Sequence, residues 1–368
     1  MMLSIVLPAY NEEESIEETV RQCFVAKQKL LDAGLYQEVE VIVVNDGSSD
    51  RTVDIVRGIE GVELVSYEIN KGYGAALVTG FHAAQGDVLA FLDSDGTCDP
   101  NDFITMTQKC AKEDADMVIG MRLHTESHMP LTRRVGNIFF AKLINFLGNA
   151  HIHDSASGMR LFKKEVLDVL LPLPSGLNFT PAMSAKAILD ETLKIIEVPI
   201  HYAARRGSSK LSVLRDGLRF LNSILTIAIT YRPFKIFGGL GIAFLLASIH
   251  TFLLGFSVVA MIFFSLGLQL LFTGLFLNEV VLVLQPIRRL RHSLAYVFFA
   301  FLRSPRVLWT VSFASALVVV GSAWGGWGVG AVLACVVGLQ CFTFGVLFQM
   351  IGVIKEVIYF RTHTTPRI

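Results

Sequence analysis

Two carboxylates, Asp93 and Asp95, follow the apolar run VLAFL with one residue between them. In an extended chain residues two apart face the same side, so both carboxylates would be presented to one point. Because close like charges repel, such a pair is typical of a site for a divalent hard cation, which prefers oxygen ligands. We therefore expect Mg²⁺ or Mn²⁺ here, held together with substrate phosphates. The alternative is a solvated loop in which Asp95 and Gly96 form a turn.

A second acidic cluster, NDGSSD at 45–50, follows the apolar run EVIVV. Its last residue, Asp50, is better explained as the N-cap of a helix that begins near Arg51. Both clusters lie where predicted strands end, which is where α/β sheets bind ligands. The strand candidates are 3–9, 39–45, 62–67, 88–93, 117–120 and 195–202, separated by helical patterns such as 12–32 and 101–113. This alternation predicts an α/β domain with a largely parallel sheet.

The C-terminal part of the chain is strongly apolar. A helix needs about 20 mostly apolar residues to span a membrane, and four segments qualify: 234–255, 257–284, 307–325 and 328–353. Basic residues lie before the first segment, between the second and third, and after the fourth. Since short cytoplasmic loops are enriched in Lys and Arg, both termini are expected inside.

These patterns predict three parts: a cytoplasmic α/β domain over 1–209, an amphipathic helix at the membrane surface over 210–232, and an all-α transmembrane domain of four helices over 233–368. The N-terminus shows no pattern of a signal peptide. We therefore expect an integral protein of the cell inner membrane or its equivalent, with the lipid bilayer as a partner. Helix 210–232 could instead pack on the first domain.

Several other functions are disfavoured. The formal net charge is zero, and no basic patch is interleaved with aromatic residues, so we expect no nucleic-acid partner. The GxG of NKGYGAALVTGF lacks the ending of a P-loop and does not fit the dinucleotide fingerprint. We interpret Gly72 and Gly74 as a helix entry with close backbone packing. The HIHD stretch at 151–154 is a weak zinc pattern.

Five motifs in order resemble a known family: SIVLPAYNEEESI, EVIVVNDGSSDRT, NKGYGAALVTGFHAAQGDVLAFLDSD, SASGMRLFKKEV and ARRGSSKL. Together they resemble the family 2 glycosyltransferases, most of all the polyprenyl-phosphate sugar synthases of the dolichol-phosphate mannose synthase type. The resemblance covers about residues 3–215 and implies a GT-A fold, the Rossmann-like fold of nucleotide-diphospho-sugar transferases.

The resemblance also implies roles for individual residues. The nucleotide would be bound by Pro8, Tyr10, Glu12, Val44, Asp46, Asp93 and Ser94. The metal would be held by Asp93 and Asp95, and the third ligand would be Thr97, which stands where family members often have Gln, or a water. The residues that would bind the phosphates or act at the reaction centre are Asp95, Arg122, Arg133, Arg206, Ser209 and Lys210.

The nature of the acceptor follows from a missing acid. Family members that use hydroxyl acceptors often carry an acid in the region of GLNFTPAMSAKAI, and this stretch has none. A hydroxyl would need a general base, whereas a lipid phosphate is already anionic and needs positive charge instead. Arg206 and Lys210 supply that charge beside the amphipathic segment.

We therefore predict an inverting, metal-dependent glycosyltransferase. It would move a sugar, with mannose or glucose favoured, from a GDP- or UDP-sugar donor to a dolichyl or undecaprenyl phosphate at the cytoplasmic face. One alternative is transfer to a lipid hydroxyl such as that of diacylglycerol. Another is a component of a lipid-glycan flippase with a degenerate nucleotide domain. The sequence leaves open whether the chain forms a homo-oligomer.

Overall fold

The computed structural model describes residues 1–123, 129–203 and 212–284. The chain divides into two compact units, Met1–Ile227 and Ala228–Ile368. Arg206, Ser209, Lys210 and the predicted spans 307–325 and 328–353 lie outside the described residues.

The first unit contains a sheet of seven strands. The strands are β1 Met2–Ala9, β2 Glu38–Asp46, β3 Glu63–Tyr67, β4 Val88–Phe91, β5 Met117–Met121, β6 Arg160–Lys163 and β7 Ile195–Pro199. Their order across the sheet is β3-β2-β1-β4-β6-β5-β7. An α/β domain with six of these strands was expected, and the structure confirms that fold class.

The strand that was not expected is β6. It is antiparallel to both β4 and β5, whereas β1, β2, β3 and β4 pair in parallel, as do β5 and β7. The sheet is therefore mixed. Four residues, RLFK, are too few to show the period-two alternation by which a strand is recognised.

Among the described residues, eight helices lie wholly or largely in this unit. They are α1 Ile16–Asp32, α2 Thr52–Arg57, α3 Tyr73–Ala83, α4 Asp102–Glu113, α5 Leu131–Gly148, α6 Val166–Leu170, α7 Phe179–Leu189 and α8 Val213–Tyr231, the last of which crosses the boundary between the units.

The helices cover both faces of the sheet because successive strand residues point to opposite faces. On β2, Val41 and Val43 pack in one buried cluster with α1 and α4. Ile42 and Val44 pack in the other, with α3, α6 and α7. The result is the three-layer arrangement that apolar strands buried on both faces require.

The entry of α3 depends on two glycines. Gly72 has φ of 103°, and a Cβ there would lie 2.5 Å from the Ser175 carbonyl oxygen. A Cβ on Gly74 would lie 2.2 Å from the Pro174 carbonyl oxygen. The structure thus confirms that this glycine-rich stretch begins a helix against a closely packed backbone.

In the second unit, the described residues form two apolar helices, α9 Pro233–Leu253 and α10 Ser257–Leu284. Both are long and apolar enough to cross a membrane, with mean hydropathies of 1.9 and 2.0 over their apolar stretches. They coincide with the first two predicted spans. Small residues bring their backbones together: a Cβ on Gly241 would lie 2.8 Å from the Gly267 carbonyl oxygen.

Candidate functional site

A cavity of about 620 Å³ opens at the carboxyl ends of β1, β2 and β4. The chain passes from β1 outward to β2 and β3 and then returns to β4 on the other side of β1, so the cavity lies at a topological switch point. The predicted site residues that line it are Pro8, Tyr10, Glu12, Asp46, Asp93, Ser94, Asp95, Arg122 and Arg133. The fold therefore brings together nine of the residues chosen from the sequence.

The Asp93 to Asp95 segment is a turn rather than a continuation of the strand. β4 ends at Phe91, and Gly96 has φ of 71°. The Ser94 hydroxyl donates to the Pro8 carbonyl oxygen at 2.8 Å, which fastens this turn to the end of β1. Both aspartates still reach the cavity, although by the turn and not by the extended geometry that their spacing predicts.

Thr97 holds Asp95 in place. Its backbone N–H and its hydroxyl both donate to Asp95 Oδ1, at 3.1 and 2.7 Å. The Thr97 side chain is buried and is not among the residues that line the cavity. In this structure Thr97 therefore orients the Asp95 carboxylate. It does not occupy the position expected of a third metal ligand.

Asp93 is fixed from two sides by residues that the sequence did not single out for this task. The Tyr73 hydroxyl at the start of α3 donates to Asp93 Oδ1 at 2.8 Å. Burial, followed by the charge of Asp93, raises the pKa of Tyr73 well above its usual value, so the hydroxyl keeps its proton. On the other side, a Cβ on Gly158 would lie 2.0 Å from Asp93 Oδ2.

Asp46 supports the wall of the cavity. Its carboxylate accepts hydrogen bonds from the backbone N–H groups of Lys71 and Gly72, at 2.7 and 2.9 Å. These bonds connect the end of β2 to the entry of α3. Val44 differs from the expectation, because its side chain is fully buried in the core and is not among the residues lining the cavity.

The loop that carries Tyr10 and Glu12 is bound to the segment after β2. The Glu12 backbone N–H donates to Thr52 Oγ1 at 2.9 Å, and the Glu13 backbone N–H donates to Asp50 at 3.1 Å. Asp50 also accepts from the Thr52 N–H at 3.0 Å. The structure corrects the predicted N-cap: α2 begins at Thr52 with Arg51 as its N-cap, and Asp50 precedes the cap and joins two loops that border the cavity.

Arg122 lies in a buried ion pair with Asp154. Its Nε and Nη2 donate to the two carboxylate oxygens at 2.8 and 2.9 Å. Burial opposes the charge on Asp154, but the guanidinium and its hydrogen bonds hold the pKa of this carboxyl below its usual value. Asn137 of α5 donates to the same carboxylate at 2.7 Å. The last residue of HIHD is therefore a partner of Arg122.

Behind the cavity, Arg160 is fully buried. Its guanidinium donates to the carbonyl oxygens of Ser155, Ser157 and Thr180 and to the Ser184 hydroxyl. These bonds join the segment before β6, which includes Gly158, to α7. Burial lowers the pKa of Arg160 to about 10, so the side chain remains charged at neutral pH.

The donor atoms fit a hard cation. Asp93 and Asp95 offer carboxylate oxygens to the cavity, and among the residues that the structure describes no group of three or more His, Cys, Asp or Glu could hold a metal. Such a pair leaves positions for phosphate oxygens and water, as Mg²⁺ and Mn²⁺ sites usually do. In the HIHD stretch, the His153 ring contacts Glu197 and Asp154 pairs with Arg122.

Residues 4–171 match the family model described as Glycosyl transferase family 2. A dolichyl-phosphate hexose transferase of Haloferax volcanii is 31% identical over 235 residues, which cover 62% of this chain and 95% of that protein. The hexosyltransferase Agl6 of low-salt glycan biosynthesis in the same organism is 34% identical over 233 residues, and the match spans 62% of this chain but only 54% of that relative.

A third relative extends the match along the chain. The undecaprenyl-phosphate 4-deoxy-4-formamido-L-arabinose transferase of Aeromonas hydrophila is 27% identical over 296 residues, which cover 74% of this chain and 86% of that protein. Two of the three names specify a polyprenyl-phosphate sugar transferase. With the matched family model and the 31% identity over nearly the whole length of a relative, the chain belongs to glycosyltransferase family 2, and its relatives include the polyprenyl-phosphate sugar transferases.

Proposed function

We propose that this protein is an inverting glycosyltransferase that moves a sugar from a GDP- or UDP-sugar to a polyprenyl phosphate. The proposal rests on a single cavity. It is lined by Asp93 and Asp95 and also by Arg133 and Arg215. A carboxylate pair holds a metal ion that binds a diphosphate, and arginines bind a second anion. Dolichyl- and undecaprenyl-phosphate transferases among the relatives agree with this pair of substrates.

The donor would bind at the ends of β1, β2 and β4. Tyr10, Glu12 and Ser94 line the cavity there, beside the two aspartates. Mg²⁺ or Mn²⁺ held by Asp93 and Asp95 would supply positive charge for the oxygens of the leaving diphosphate. Thr97 and Tyr73 keep the two carboxylates oriented through hydrogen bonds, so the ligands are in place before the ion arrives.

The acceptor end of the cavity favours a phosphate over a hydroxyl. Of the described residues lining the cavity, the carboxylates are Glu12, Asp46, Asp93 and Asp95, and all lie at or just after the ends of strands β1, β2 and β4. Helix α7 reaches the cavity through Thr180 and contains no acid. An anionic acceptor needs no base, and attack opposite the leaving group would invert the anomeric centre.

The cationic side chains at this end come from two helices. Arg133 of α5 lines the cavity, as do Arg215 and Arg219 of α8. The Arg219 guanidinium contacts Asp216 at 3.2 Å, whereas Arg215 is exposed. We propose that Arg133 and Arg215 hold the acceptor phosphate together with Arg206, Ser209 and Lys210. The acceptor would arrive in the cytoplasmic leaflet, in keeping with the two membrane-length helices α9 and α10.

The proposal is tested by a donor panel. Purified protein in detergent is given polyprenyl phosphate, Mn²⁺ or Mg²⁺, and radiolabelled GDP- and UDP-sugars in turn. We expect label from one donor to enter an organic-soluble product that mild acid cleaves, and to be lost on Asp95→Ala and with a chelator. Absence of labelled lipid with every donor, from a protein that remains folded, would overturn the proposal.

A further inference from the structure

Helix α5 carries an exposed apolar face. Leu131, Val135 and Phe139 follow one another at four-residue spacing and are 76%, 66% and 55% exposed. Ile138 and Phe146 extend the same side of the helix, as their positions seven and fifteen residues after Leu131 require. Proteins seldom leave a contiguous apolar surface in water unless it contacts a partner or a membrane.

The opposite side of α5 forms a wall of the cavity. Arg133, Gly136, Asn137 and Phe140 line the cavity, about half a helical turn away from the exposed apolar side chains. One helix, about 10 Å across, therefore separates the cavity from whatever covers the apolar face. The apolar face and the cavity therefore lie on opposite sides of the same helix.

The charges on α5 indicate what covers it. The helix contains Arg133, Arg134 and Lys142 and no acidic residue. Lys142 is exposed and lies eleven residues after Leu131, in the middle of the apolar face. A two-fold contact with a second copy would place Lys142 near its own equivalent without a counter-charge. A lipid surface instead accepts the apolar side chains while lysine reaches anionic headgroups.

Helix α5 is also packed on the helix that leads to the apolar part of the chain. The rings of Phe140 and Phe220 of α8 meet edge to face with centroids 5.8 Å apart. In the sequence, α8 is followed after Arg232 alone by α9, which is long and apolar enough to span a membrane. A basic amphipathic helix in contact with this segment has the composition of one that lies in the headgroup region.

From these observations we propose that the Leu131, Val135 and Phe139 face of α5 is a membrane-contact surface, inserted at the level of the lipid headgroups. The proposal deepens the proposed function, because it explains how a cavity for sugar nucleotides meets a lipid acceptor. The acceptor chain remains among lipids on the apolar side of α5, while its phosphate reaches the arginines on the other side.

A photo-crosslinking experiment identifies what covers this face. The photoreactive amino acid p-benzoylphenylalanine is placed at Phe139 and, separately, at Val135 of the full chain in phosphatidylglycerol-containing nanodiscs. Val25 on α1 is the matched control, since it is also an exposed apolar side chain, at 51%. After irradiation, intact-mass analysis should show lipid adducts at positions 139 and 135. Their yield should be at least tenfold higher than the yield at position 25.

Two results would overturn the proposal: crosslinks to a second copy of the chain, or lipid adducts no more frequent than at position 25. Because crosslinking requires no transfer reaction, its failure is distinguishable from failure of the proposed function. A functional arm compares the V135E/F139E double variant with V25E. We expect at least a tenfold loss of transfer to long-chain polyprenyl phosphate in nanodiscs, with transfer to a short, water-soluble prenyl phosphate retained. Equal long-chain transfer by the two variants would contradict the proposal.

Discussion

The Tyr73 hydroxyl donates a hydrogen bond of 2.8 Å to Asp93 Oδ1, across twenty residues of sequence. The first residue of α3 thereby orients a carboxylate at the end of β4. Because burial and the charge of Asp93 raise the pKa of Tyr73, the tyrosine stays a donor at every pH at which an enzyme of this kind would be assayed.

We predict that Tyr73→Phe weakens metal activation. A hydrogen bond to a charged group contributes about 1.5 to 3 kcal/mol, so the Mn²⁺ concentration for half-maximal activity should rise on the order of tenfold or more. The matched control is Tyr36→Phe, which removes another buried tyrosine hydroxyl, bonded to Thr107 at 3.2 Å, outside the cavity. Equal Mn²⁺ requirements in the two variants would show that Tyr73 does not support the metal site.

Gly158→Ala should displace Asp93. The added methyl group would lie 2.0 Å from Asp93 Oδ2, a distance at which the carboxylate must shift. We expect transfer activity to fall by about 100-fold, since a misplacement of about 1 Å has that order of effect. Gly58→Ala is the control, because the nearest atom to its Cβ would be 3.4 Å away. Activity of Gly158→Ala close to that of Gly58→Ala would contradict the packing described here.

Asp154→Ala should destabilise the first unit strongly. It leaves the Arg122 guanidinium buried without its counter-ion, and breaking a buried pair in this way costs about 3 to 5 kcal/mol. Glu17→Ala breaks the exposed pair with Arg21 and should change the free energy of unfolding by less than about 1 kcal/mol. Thermal unfolding followed by circular dichroism compares the two. Similar melting temperatures would rule out a structural role for the pair.

The same pair predicts a dependence of stability on pH. The pKa of Asp154 is lowered in the folded state, so its contribution is present above the unfolded value of about 3.9 and is lost as pH falls through the folded value. Denaturant unfolding between pH 7 and pH 3 should therefore show an acid loss of stability that Asp154→Asn reduces. An unchanged slope in Asp154→Asn would contradict this assignment.

Arg160→Met should lower stability because it removes a donor that several buried oxygen atoms share. The guanidinium donates to three carbonyl groups and to the Ser184 hydroxyl, and we expect a loss of about 3 kcal/mol or more. Arg160→Lys keeps the charge and should recover part of it. Arg57→Met, at an exposed position, serves as the control for loss of an arginine. A melting temperature equal to that of Arg57→Met would refute the role given to Arg160.

The sequence was informative where one local pattern determines one local structure. Apolar runs located β1, β2 and β4, and the positions of Asp46, Asp93 and Asp95 after them placed all three carboxylates at one edge of the sheet. Parallel strands bring their carboxyl ends together, so this part of the site required no knowledge of long-range contacts.

The sequence was less informative where a contact joins distant segments. Gly158 packs on Asp93 from sixty-five positions away, and Arg122 pairs with Asp154 at a separation of thirty-two. Strand β6 was not predicted from the sequence, for a related reason. Its first residue, Arg160, is buried by hydrogen bonds to carbonyl groups and not by the apolar character that marks a strand. Motif resemblance highlighted the segment without indicating its secondary structure.

The central claim is that a lipid phosphate is the acceptor, and one comparison tests it most directly. With the active sugar nucleotide and Mn²⁺, the purified full chain is given polyprenyl phosphate, the polyprenol of the same length, or diacylglycerol, and labelled lipid is counted. We predict transfer to the phosphate alone, abolished by Asp95→Ala. Transfer to polyprenol or diacylglycerol at a rate equal to or above that for the phosphate would contradict the claim and require a general base in this site.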